Sequence, residues 1–84
     1  MQNAIQDIIA ERRRQDEKWG PQNHDPITWA VILAEEVGEF SQAALQLKFG
    51  GEKASGLREE AVQCAAVALA IIECIDRLRE QSNS

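Results

Sequence analysis

The sequence predicts an all-α fold, three main helices forming a helical bundle completed by homo-oligomerisation. Three observations lead there. Apolar residues recur at helical spacing in three segments. No segment alternates apolar and polar residues with period two over a useful length, and the many alanines favour helix. The breaks between segments, Gly20-Pro21, Asp25-Pro26 and Gly50-Gly51, are helix stops and starts. The 84 residues suffice for one domain, 1–84, but are short for a self-sufficient core, so a partner chain is expected.

The first helix is predicted from about Asn3 to Lys18, with Ile5, Ile8, Ile9 and Arg12 at helical spacing on a narrow apolar face. The loop WGPQNHD follows. Asp25 then serves as N-cap and Pro26 as first helical residue of a second helix that continues to Phe49. Gly50-Gly51 ends it, because glycine accepts the left-handed conformation that closes a helix. After GEKASG, with Ser55 as N-cap, periodicity resumes from Leu57 to about Arg79, before the polar QSNS. From Ala61 to Ile75 only Gln63 and Glu73 interrupt the apolar residues. A helix apolar nearly all round must be covered on most sides, and two shorter companions cannot do that, so this helix is expected to be buried against a second subunit.

Composition excludes several function classes. Hydrophobic residues make up 44% and charged residues 27%, the balance of an ordinary globular chain. The net charge is −5 and the only basic cluster is Arg12 to Arg14, expected to be a solvated helix face, so binding to a nucleic-acid polymer is not expected. The opening MQNAIQDIIAERRRQ carries charge too early for a signal peptide, and no run approaches the roughly 18 apolar residues of a membrane span. The expected location is cytoplasmic, without a membrane partner. Cys64 and Cys74 lie on one helix about 15 Å apart, too far for a mutual disulfide, and are read as buried thiols.

The stretch LAEEVGEFSQAAL carries charge where a helix should be apolar. With Glu36 at zero and about 100° per residue, Trp29 and Leu47 fall near 20°, Phe40 near 40° and Ile32 near −40°, so Glu36 is central on the apolar stripe. Glu39 lies about 60° away on the stripe's edge, and Glu35 about 100° away flanks it. The third helix repeats the pattern: Val67 and Ile71 fall within about 20° of Glu60, with Gln63 placed relative to Glu60 as Glu39 is to Glu36. A single such glutamate is usually solvated at a groove edge or paired with an arginine. Three need more compensating charge than nearby residues offer, since an unpaired buried carboxylate costs several kcal/mol. A cation would supply it, and oxygen-only ligands select a hard ion, Mg²⁺ or Mn²⁺. A di-iron site would need Glu-x-x-His pairs, and the one histidine, His24, is in a loop. Gly38, mid-helix, costs about 1 kcal/mol relative to alanine, which close helix packing would explain better than ligand approach.

The arrangement E-E-x-x-E at Glu35, Glu36 and Glu39, followed by E-x-x-D on the next helix, here Glu60-Ala61-Val62-Gln63, resembles the MazG-like all-α nucleoside triphosphate pyrophosphohydrolases. The run ERRRQDEKWGPQNHDPITWAVILAEEVGEFSQAAL is similar to the N-terminal half of small phage-type and mobile-element members, and LREEAVQCAAVALAIIECID to their last helix. The resemblance covers nearly the whole chain, as a single MazG-like domain. It implies Mg²⁺-dependent hydrolysis of a canonical or modified (deoxy)nucleoside triphosphate to the monophosphate and pyrophosphate, a nucleotide-pool house-cleaning reaction, by a homodimer or homotetramer. By motif position it makes Glu36, Glu39 and Glu60 metal ligands and puts Gln63 where the family has aspartate. Gln63 offers a neutral carbonyl oxygen and one negative charge fewer. Glu35, flanking the cluster, is the candidate to orient or deprotonate the attacking water. The resemblance also places Trp19, His24 and Trp29 around the base and sugar; Lys18, Lys48, Lys53 and Arg58 are candidates to neutralise phosphate. The alternative raised by Gln63 is a non-catalytic nucleotide-binding or regulatory module. A plainer one is a helical oligomerisation module with a solvated acidic seam.

Overall fold

A computed structural model describes residues 3–50 and 56–82 of the chain. Those residues form three α-helices, α1 (Ala4–Trp19), α2 (Pro26–Lys48) and α3 (Gly56–Ser82), and contain no strand. The all-α, three-helix expectation holds.

Local chemistry sets the helix ends. Asn3 caps α1, its side-chain oxygen accepting from Ile5 N at 2.9 Å. Gly20 closes that helix at φ 71°, its N–H donating to Asp16 O at 2.7 Å. Asp25 caps α2, accepting from Thr28 N at 2.8 Å and from the Thr28 hydroxyl at 3.0 Å, with Pro26 in the first turn. Phe49 N donates to Leu45 O at 3.0 Å to end α2, and Gly50 follows at φ 85°. Ser55, the expected cap of the third helix, and Gly51 lie outside the described residues. The third helix runs past Arg79 to Ser82, because Glu80 and Gln81 are good helix formers and no glycine or proline stops it.

α3 is the central element, packing against both α1 and α2. α1 and α2 do not pack on each other, which leaves a cleft between them floored by α3. The core is small: Trp29 of α2 meets Val67, Ala70 and Cys74 of α3, with Ile32, Leu33 and Ile71 packed around them. Cys64 is half-buried and Cys74 buried, and both are free thiols.

Two expectations about surfaces change. α3 buries Ala66, Val67, Ala70 and Cys74 inside the chain, leaving Ile72, Ile75 and Leu78 exposed at its C-terminal half, so the demand for cover is less than its all-round apolarity suggested. α2 has the larger demand: Ile27, Val31, Val37, Leu45, Leu47 and Phe49 are all exposed. The arginine run is not a uniformly solvated face either. Arg12 is 9% exposed, because it lies one turn from half-buried Ile8 on the face that α1 turns toward α3, while Arg13 and Arg14 are exposed. No described helix is long and apolar enough to cross a membrane.

Candidate metal centre and cleft

α2 and α3 bring Glu36, Glu39 and Glu60 together: one carboxylate oxygen from each lies within 4.8 Å of the others. Glu36 and Glu39 share a face because they are one helical turn apart. Glu60 joins them because α3 packs along the same side of α2. Glu36 and Glu60 are half-buried and Glu39 is exposed.

Among the described residues, no basic side chain compensates the charge of this cluster. Burial raises the Glu36 pKa above the usual carboxylate value, and the charges of Glu39, Glu60, Glu35 and Glu11 raise it further. Glu60 is raised by burial and then by Glu39, through both charge and a shared hydrogen bond. The thiol of Cys64 is pushed up by burial and by the same three carboxylates. Among the described residues no lysine, arginine or histidine forms an ion pair with Glu36, Glu39 or Glu60; the basic side chains pair elsewhere, Arg12 with Asp16 and Glu73, Arg14 with Glu11, Arg58 with Asp7. Glu60 Oε2 is fully buried without a hydrogen-bond partner.

A hard divalent cation fits this donor set. The ligands are all oxygens, the spacing is on the scale of the roughly 4–5 Å across such an ion's oxygen shell, and the orphaned Glu60 oxygen would gain a partner.

The cluster adjoins the cleft, a pocket of about 550 Å³ whose walls include Glu36 and Gln63. That volume lies within the roughly 300–1,000 Å³ range typical of small-molecule sites. Its aromatic wall is Trp19, His24 and Trp29, with the His24 ring edge-on to Trp29 at 4.8 Å and 81° between planes. Trp29 is 5% exposed and its buried Nε1 has no partner. Trp19 is mostly exposed, with Lys18 Nζ 4.5 Å above its ring, and both border the cleft. Arg77 of α3 fixes the loop carrying His24, donating from Nη2 to Gln22 O at 2.9 Å and to Asn23 Oδ1 at 3.0 Å.

Other predicted residues fall elsewhere. Glu35 is exposed and does not line the cleft, although its charge is felt at Glu36. Lys48 sits over the Phe49 ring at 5.6 Å, and Arg58 is held by Asp7 at 2.8 Å; neither reaches the cleft. Lys53 lies outside the described residues.

The α1 wall was not anticipated: Glu11, Arg14 and Gln15 line it along with Lys18. Their spacing of three, four and seven residues puts them on one polar helix face, the available sequence signal. Glu11 is 8% exposed and accepts from Arg14 Nε at 2.8 Å. Compared with protein-family models, curated proteins and solved structures, the chain matches none.

Proposed function

We propose that this chain is a MazG-like, Mg²⁺-dependent nucleotide pyrophosphohydrolase, cleaving a canonical or modified (deoxy)nucleoside triphosphate to the monophosphate and pyrophosphate as a homo-oligomer in the cytoplasm. The observation that carries the reading is the convergence of Glu36, Glu39 and Glu60, with no ion pair to a basic residue among the described residues, beside a nucleotide-sized cleft.

Glu36, Glu39 and Glu60 would hold Mg²⁺ or Mn²⁺, with the Gln63 carbonyl oxygen nearby on the cleft wall. The bound ion supplies Lewis-acid polarisation of phosphate and neutralises its charge. The chain's own residues do the rest. Trp29 and Trp19 offer aromatic surface to a base, and His24, set edge-on to Trp29, shapes that end of the cleft. Lys18 and Arg14, on the α1 wall, bring positive charge to phosphates. Glu35 is the candidate base for a water at the cluster's outer edge.

The test is pyrophosphate release from a nucleotide panel with Mg²⁺. Release no faster than that from a Glu36→Gln, Glu39→Gln double variant would refute hydrolysis. A second reading, nucleotide binding without turnover, rests on Gln63, which lines the cleft without the charge of the family's aspartate. Calorimetric binding without product favours it, and Gln63→Asp should then restore turnover if that ligand alone is missing.

A further inference from the structure

The exposed side of α2, turned away from Glu36, has a pattern of its own. On the same helical wheel Ile27, Val31, Ala34, Gly38, Leu45 and Phe49 all fall within about 40° of the direction opposite Glu36. They recur at alternating steps of mostly four and three residues, the seam spacing of a two-helix contact, and none is charged. Every one is exposed, and the ends of the seam, Ile27 at 77% and Phe49 at 74%, are the most exposed of its large residues.

Gly38 is at the middle. A Cβ there would meet nothing within 4 Å among the described residues, so no packing inside the chain accounts for a glycine that costs the helix about 1 kcal/mol. Close approach by a helix from outside would account for it, since small residues let two backbones come near.

We propose that a second copy of this chain packs its α2 antiparallel against this face, about a two-fold axis at Gly38. That register sets Ile27 beside the partner's Phe49 and Val31 beside the partner's Leu45, matching large residues at the ends and small ones at the centre. It also brings the basic end of one α2, at Lys48, toward the acidic N-cap end of the other; a parallel pair would juxtapose like charges. The interface uses none of the cleft residues and stands independently of the nucleotide reading.

The experiment is sedimentation equilibrium of the full chain over a wide concentration range. The wild type is expected at an even multiple of 9.4 kDa. Gly38→Leu and, separately, Leu45→Glu should halve that mass or weaken association at least tenfold. Leucine is the better helix former, so Gly38→Leu should do this with undiminished circular-dichroism helicity, which separates interface loss from unfolding. Mixed Ile27→Cys and Phe49→Cys chains should form an oxidised cross-link that Ile27→Cys alone does not. A single-chain mass at every concentration overturns the proposal, as does an oligomer whose mass neither Gly38→Leu nor Leu45→Glu changes.

Discussion

Arg12 Nε donates to Glu73 Oε1 at 2.8 Å, joining residues 61 apart in sequence and fastening α1 to α3 through a buried guanidinium. Arg12 also donates to Gln15 Oε1 and to Asp16 Oδ1, each at 2.9 Å. Burial opposes its charge, but the hydrogen bonds to Glu73 and Asp16 more than offset that, and its pKa is raised.

Arg12→Ala should therefore cost about 2–3 kcal/mol, because it strips a buried hub of its partners. Arg12→Lys should cost less than alanine but still measurably, since a compact ammonium cannot reproduce the planar fork. Urea denaturation at one fixed protein concentration checks both; a loss below about 0.5 kcal/mol for alanine would contradict the role.

Glu36→Gln removes one of the mutually repelling carboxylates. In chelator the variant should melt about 2–4 °C above the wild type. With Mg²⁺ the order should reverse, because only the wild type gains stability from the ion. Melting curves in EDTA and in Mg²⁺ read both; a Glu36→Gln chain no more stable than wild type in EDTA would mean that the cluster is not under repulsion.

The same cluster fixes the sign of a pH effect. Glu36 and Glu60 have folded-state pKa values raised above their unfolded ones, so the stability they contribute is fully present below about pH 4.5 and is lost as pH rises through the raised folded values. Asp25, lowered by its hydrogen bonds from Thr28, acts oppositely, its contribution being present above its unfolded value and lost as pH falls through its lowered one. Metal-free protein should accordingly become more stable on acidification from neutral pH to about 5, before Asp25 titrates. Saturating Mg²⁺ should flatten or reverse that trend, and melting temperature against pH in EDTA and in Mg²⁺ will show it.

Trp29→Ala should cost about 3–5 kcal/mol, since it empties the centre of the core. Trp29→Phe should cost less than half as much, because it keeps an aromatic ring and removes an indole N–H that has no partner. Should nucleotide binding weaken in Trp29→Phe by more than stability does, the free N–H serves the ligand. Denaturation and calorimetry together distinguish the cases.

Helix ends and inward carboxylates were legible because both are local. Asp25-Pro26 and Gly20 act through their own backbone neighbours, and the helical period alone places Glu36 and Glu60 on buried faces. What a period cannot convey is which helix lies opposite and at what height, so the α1 wall with Glu11 and Arg14 went unseen. Charge alone points to Lys48 and Arg58, and charge says nothing about the direction in which a side chain projects. The wheel that turns Glu60 inward puts Arg58 about 160° away, where Asp7 takes it.

The absence of packing between α1 and α2 has a kinetic consequence. One side of the cleft is a helix attached to α3 alone, so it can swing clear while the Trp29 core stays intact. Detaching it requires a local rupture of the Arg12–Glu73 and Arg58–Asp7 pairs rather than global unfolding, and amide protons of α1 should exchange with solvent sooner than those of α3. Residence time of a molecule enclosed there should then follow how often both ion pairs, Arg12 with Glu73 and Arg58 with Asp7, let go together.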